Sequence, residues 1–183
     1  GHATSGVTVD SSGGTALRSS VIFDNTLGLS LKGTQNRNQA TLLDKLTIAA
    51  NLSAVSIGAS HRTSMWNSII SGNGGSPCLS SDAASLPTSL DVRFSLCKQP
   101  GVIPDAFLVP GNFNLTGSGN SADPRFRSED SNVQETNPRE AFLLTKTNAA
   151  ISPALNSGDP DYPDKLVLPE FPSPLETSLP TTT

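Results

Sequence analysis

Short apolar runs punctuated by polar turns fill the first hundred residues, and three of the runs share one layout. They read Ser20-Val21-Ile22-Phe23-Asp24-Asn25, Leu46-Thr47-Ile48-Ala49-Ala50-Asn51 and Ser68-Ile69-Ile70-Ser71-Gly72-Asn73. Ile22, Ile48 and Ile70 hold the same place in each, and an asparagine comes three residues later. The isoleucines lie 26 and 22 residues apart (22 to 48, 48 to 70). A period of this size predicts stacked similar units, hence a solenoid in place of a compact globule.

A second series runs beside the first. Val7-Thr8-Val9, Leu29-Ser30-Leu31 and Val55-Ser56-Ile57 align at intervals of 22 and 26. Aliphatic residues alternating with hydroxyl residues suit half-buried strands. Adding 22 to Ile70 lands on Val92 in Leu90-Asp91-Val92-Arg93-Phe94, which extends the isoleucine series to a fourth coil. Each coil is therefore expected to carry at least two strands. Between them lie polar turns such as Lys32-Gly33-Thr34-Gln35-Asn36 and Gly72-Asn73-Gly74-Gly75. Strands this short stack coil on coil as parallel sheets, about 4.8 Å apart. The four surplus residues of coil two are assigned to the turn Gln35-Asn36-Arg37-Asn38-Gln39. Solenoid insertions go to turns, and an inserted turn of this kind is where a groove is expected. Asn25, Asn51 and Asn73 share one turn position. Asparagine tolerates left-handed backbone, and stacked amides bond one another, so a structural ladder is the expectation for them.

Proline changes the picture after residue 99. Two prolines precede that point and twelve come after it, and acidic residues shift from five in the first hundred positions to eleven in the rest. Dense proline argues against central strands. The expected organisation is β-helix coils over 1–99, an irregular closing segment packed on them over 100–165, and an extended tail over 166–183.

Only 15 % of the 183 residues are charged and the net charge is −4, a balance that suits work outside the cytoplasm and offers no basic face to nucleic acid. No apolar run is long enough to span a membrane. Cys78 and Cys97 fit one disulfide in an oxidising compartment, and two free thiols is the other reading. Asn51-Leu52-Ser53 and Asn114-Leu115-Thr116 match the glycosylation acceptor pattern.

Several longer stretches carry a resemblance. Met65-Trp66-Asn67-Ser68-Ile69-Ile70-Ser71-Gly72-Asn73-Gly74 resembles the "N-S-I-I-x-G-N" coil of the right-handed parallel β-helix (pectate-lyase-like) family. Ser121-Ala122-Asp123-Pro124-Arg125-Phe126 is similar to its "aDPrF" closing segment. Ala141-Phe142-Leu143-Leu144 and Ile151-Ser152-Pro153-Ala154-Leu155-Asn156-Ser157-Gly158-Asp159 resemble its "F-x-L…S-P-A-I-D-A-G" ending. The resemblance covers about residues 6–160. It departs at Leu155-Asn156-Ser157, where Ile-Asp-Ala is usual, so any role of that aspartate is lost. It implies an all-β fold, a right-handed solenoid with an irregular Pro-rich C-terminal cap or tail, and the C-terminal part of a secreted or cell-surface protein. It also places the Cys78 and Cys97 pair where bacterial surface members often carry one. The family spans lyases, glycosidases, epimerases, adhesins, tailspikes and stalks, so the fold does not choose an activity.

The residues themselves offer little chemistry. Glycoside hydrolysis wants two carboxylates about 5–10 Å apart. Asp10, Asp24, Asp44, Asp82 and Asp91 never recur at one register on successive coils. Uronate chemistry wants a base and a carboxylate neutraliser, often calcium. His61 and Arg62, with Lys45 one coil before and Arg37 in the inserted turn, form the candidate basic binding cluster; a solvated turn is the plainer reading. Asp159, Asp161 and Asp164 gather oxygen ligands that suit calcium, while the intervening prolines suit a rigid exposed turn. No other cofactor is expected. The expectation is a non-enzymatic extracellular or surface stalk, adhesin or assembly subunit. Its partner would be another chain or upstream coils stacked on an open N-terminal end, and polysaccharide is a second candidate partner. The alternative is the C-terminal part of a polysaccharide lyase, glycosidase or epimerase acting on acidic polysaccharide.

Overall fold

The computed structural model describes residues 4–11, 14–33, 40–74, 77–81, 90–98, 104–108, 110–117, 123–127, 137, 141–144, 146–147 and 150–151. The chain winds through four successive coils of three strands. The first holds β1 (Ser5–Asp10), β2 (Thr15–Arg18) and β3 (Val21–Phe23). The second holds β4 (Leu27–Lys32), β5 (Thr41–Asp44) and β6 (Thr47–Ala49), and the third β7 (Ser53–Ile57), β8 (Thr63–Trp66) and β9 (Ile69–Ser71). The fourth holds β10 (Leu79–Ser81), β11 (Leu90–Arg93) and β12 (Leu96–Lys98). Every pairing between coils is parallel. Sheet A is ordered β1-β4-β7-β10, sheet B β2-β5-β8-β11, and sheet C β3-β6-β9-β12. Stacking continues past residue 99, because β13 (Leu115–Gly117) pairs with β12 in parallel.

The two expected ladders are present. Val7, Leu29, Val55 and Leu79 stack in sheet A, and Ile22, Ile48 and Ile70 stack in sheet C. One assignment needs correction. Val92 does not extend the isoleucine column; it pairs with Met65 in sheet B, and the residue stacked on Ile70 is Cys97. Coil four is stretched on both sides of β10, with seven residues between β9 and β10 and eight between β10 and β11, so the step from Ile70 to Cys97 is 27 residues (97 − 70) and a step of 22 lands one sheet too early. Sheet B is a third ladder that the repeat pattern did not show. Its inward column is Leu17, Leu43, Met65 and Val92. The four-residue surplus of coil two does lie between β4 and β5: four residues separate β1 from β2, and eight separate β4 from β5.

Opposed columns of unequal size fill the interior. A side-chain Cβ at Gly28 would stand 2.9 Å from Cγ2 of Ile48, so the sheet A position just before Leu29 has to stay small. Ala54 holds that place in coil three. In coil four the place falls to Cys78, facing the isoleucine column where Cys97 stands, and the two form a disulfide across the interior. A small–large contact is thus replaced by a covalent one at the last full coil. Closing that loop contributes roughly 3 kcal/mol in the chain-entropy model.

Corners obey one rule. At the turn from sheet C to sheet A, Asp24, Ala50 and Gly72 take the left-handed conformation, with φ of 56°, 55° and 67°. The asparagines do not adopt it themselves, contrary to expectation; each stands just after the left-handed residue. That frees its side chain for the neighbouring coil. Asn51 Oδ1 accepts from both the backbone N–H and Nδ2 of Asn25, each at 3.1 Å. Asn73 Oδ1 accepts from the same two donors of Asn51, at 3.0 and 2.9 Å. The turn from sheet B to sheet C repeats the device with Ser19, Lys45, Asn67, Phe94 and Phe113 left-handed. There Ser68 Oγ accepts the Leu46 N–H, Ser95 Oγ accepts that of Ser68, and Asn114 Oδ1 accepts that of Ser95. Asn51 and Asn114, the two glycosylation-pattern residues, are both rungs of these ladders.

Candidate functional site

Sheet C has a second, outward column: Phe23, Ala49, Ser71 and Lys98. The closing segment lies against it. Its two motifs meet there, since Phe126 bridges Leu144 antiparallel and the Arg127 N–H donates to the Leu143 carbonyl at 2.8 Å. Ala141 and Phe142 pack with Phe23, Ala49 and Phe126, because Ala49 leaves room for a ring. Phe142 lies 5.4 Å from Phe23 and stands edge to face with Phe126 at 5.2 Å.

The Asp-Pro-Arg-Phe stretch works as an anchor. Asp123 Oδ1 accepts the Arg125 N–H at 3.0 Å, a local turn that sets the direction of Phe126. Its Oδ2 meets Lys98 Nζ at 2.9 Å. Burial acts to raise the Asp123 pKa; Lys98 and the Arg125 amide outweigh it and hold the carboxyl below its ordinary value. Beside this anchor is a groove of about 270 Å³. Ala49, Ala50, Ser71 and Gly72 form one side, Phe126 and Phe142 stand over it, and Lys98 closes one end. Small residues on one wall, two phenylalanines on the other and the Lys98 cation give a cleft of mixed polarity. It is the candidate site.

The residues expected from the sequence fall elsewhere. His61 is buried in the interior at the start of β8, with Nε2 2.9 Å from Thr41 Oγ1. Burial lowers its pKa, and hydrogen bonds with the Lys32 and Gly33 backbone only partly oppose this. Arg62 sits at that same end of sheet B, while Lys45 comes just after β5 at the other end. Lys45 lies opposite Asn67 in register, five residues along from Arg62 or roughly 16 Å at strand rise. The three are therefore not brought together. Arg37 lies outside the described residues, as do Asp159, Asp161 and Asp164. Among the described residues no group of three His, Cys, Asp or Glu is placed to hold a metal ion.

Carboxylates are dispersed too. Asp10 pairs in register with Lys32, Asp44 with Trp66, and Asp91 with Ser64. Asp91 is held by Arg93, whose guanidinium lies over the Trp66 ring at 5.6 Å. Among the described residues, no two carboxylates are register neighbours on successive coils. Sequence reasoning missed the groove because it arises between segments far apart in the chain. Its one local signal was the aromatic residue in each closing motif, Phe126 and Phe142.

No protein-family model matches this chain, and no curated protein or solved structure matches it either. The architecture therefore rests on the strand pairings themselves.

Proposed function

We propose that the chain is part of a right-handed β-helix from a secreted or cell-surface protein, acting without catalysis as stalk, adhesin or assembly subunit. Its contact surface is the edge of the first coil. The observation that carries this reading is the state of that edge. Among the described residues, all three first-coil strands are terminal in their sheets. The inward residues Val7, Val9 and Leu17 are only partly buried, whereas Leu29, Leu31 and Leu43 one coil on are fully buried. Val21 is 45 % exposed. Each asparagine oxygen receives the N–H of the preceding coil, and Asn25 Oδ1 accepts no bond among the described residues. A row of unpaired strand groups above apolar side chains is a template for another strand set. Its donors and acceptors suit a parallel coil. Such a coil comes either from the same polypeptide or from a second molecule.

Other features support the setting. Parallel crossovers within one sheet are right-handed in about 98 % of cases. The interior disulfide suits an oxidising compartment. Among the described residues no helix is long and apolar enough to cross a membrane.

Light scattering of the 183-residue chain tests the reading. The expected result is concentration-dependent association that Leu17→Lys abolishes while circular dichroism stays unchanged. A stable monomer, with melting indifferent to Leu17→Lys, contradicts it.

A further inference from the structure

We propose that His61 is an acid-sensitive latch at the turn from sheet A to sheet B: neutral, it ties coil three to coil two, and protonated, it releases residues 58–62 from that coil. This goes beyond the docking role of the first-coil edge and does not depend on it, because the latch lies between coils two and three.

Each coil turns three times, and the turns are held by different chemistry. At two of them, amides and hydroxyls that do not titrate bond coil to coil. At the third, coil three uses an imidazole. Ala59 and Ser60 form the exposed tip of that turn. His61 folds back under them: its N–H donates to the Gly58 carbonyl at 2.9 Å, and the residue is fully buried. The ring stands 2.9 Å from Thr41 Oγ1 at the start of β5 and is hydrogen-bonded with the backbone of Lys32 and Gly33 at the end of β4. One side chain of coil three thus holds the end of one coil-two strand and the start of the next. Backbone bonds run alongside it. The Gly58 N–H donates to the Leu31 carbonyl at 2.8 Å, and the Thr41 N–H to the Arg62 carbonyl at 2.9 Å.

A second proton on the ring upsets this arrangement. The neutral ring has one donor and one acceptor, and a threonine hydroxyl complements it in either tautomer. An imidazolium has two donors and brings a full charge into the interior. The hydroxyl and backbone partners are neutral. Arg62, next in the chain, is a cation and favours the uncharged ring. Lys32 at the end of β4 is a cation too, and Asp10 of β1 matches it in register. Asp44 closes β5 at its far end, with Lys45 just beyond, and Asp91 of β11 is held by Arg93. Burial lowers the His61 pKa from the ordinary 6.5, and the backbone bonds oppose this only in part. Above pH 6.5 the latch therefore contributes in full. As pH falls from 6.5 toward the lower folded-state value, that contribution is lost, because the opened turn takes up the proton first.

The test is residue-resolved hydrogen exchange of the full chain, corrected for intrinsic rates, at about pH 7.5 and about pH 5, both above the usual carboxylate range. Protection of the Gly58, His61 and Thr41 amides should fall about tenfold or more at the lower pH. The ladder amides of Leu46 and Asn51 should keep theirs. His61→Gln keeps a polar end for Thr41 and does not titrate, so the same three amides should lose their pH dependence. Three results overturn the proposal: unchanged protection at those amides, an equal loss at Leu46 and Asn51, or the same pH dependence in His61→Gln. If His61→Gln does not fold, an NMR titration of the wild-type ring decides. A midpoint below 6.5 together with the amide loss supports the latch, and a midpoint at or above 6.5 overturns it.

Discussion

At the C-terminal end of the solenoid, a one-turn 3₁₀ helix (Asp105–Phe107) packs on β11 and sets Phe107 into the core. Strand β13 covers β12 in the same region. At the N-terminal end Val7, Val9 and Leu17 are the outermost apolar layer among the described residues, and within those residues β1, β2 and β3 pair on one side only. The fourth coil carries the Cys78–Cys97 disulfide and the first coil is purely aliphatic inside, and the two ends differ further in the cover over the outermost layer. A solenoid coil cannot bury its own apolar face; a neighbour has to do it. The closing segment supplies that neighbour at one end, and the first coil leaves a surface of matching geometry at the other.

Truncation shows the contrast most strongly. Phe107→Ala should cost about 3–5 kcal/mol, because it removes a ring that is almost fully buried and leaves a cavity. Val9→Ala in the half-covered layer should cost about 1 kcal/mol or less. Urea melts of the two variants measure both. Equal losses would mean that the two ends are equally closed.

The asparagine ladder gives a smaller, graded effect. Asn51 is flanked by rungs on both sides, and its Nδ2 also donates to the Ile22 and Ala49 carbonyls at 3.1 and 3.0 Å. Asn51→Ala leaves several buried groups unmatched and should cost about 2–3 kcal/mol. Asn25 is bonded on one side only, and Asn25→Ala should cost about 1 kcal/mol. The same melts check the ranking, and a larger loss at Asn25 would reverse it.

Much of this was legible in the chain. The isoleucine and valine columns, the asparagine positions and the place of the inserted residues could be read because stacking forces equivalent residues to recur. Sheet B was harder to see. Its inward column mixes leucine, methionine and valine, and its other column, Arg18, Asp44, Trp66 and Arg93, mixes cation, carboxylate and indole. The serine ladder was hidden because Leu46 interrupts it, although Ser20, Ser68 and Ser95 each stand just before a sheet C strand. His61 read as a surface base, and only the winding shows that its corner turns inward. The groove was the least legible feature. It depends on where Phe126 and Phe142 land, and no periodicity governs a segment that crosses the coils once.

Native-state hydrogen exchange, residue by residue, tests the stacking most directly. Opening free energy tracks how well an element is covered. Stacked coils predict slowest exchange for bonded amides in β5, β6, β8 and β9, continued protection through β11 and β12, and markedly faster exchange in β1, β2 and β3 of the isolated chain. First-coil amides as protected as those of β8, or fast exchange throughout β5 to β9, would contradict it.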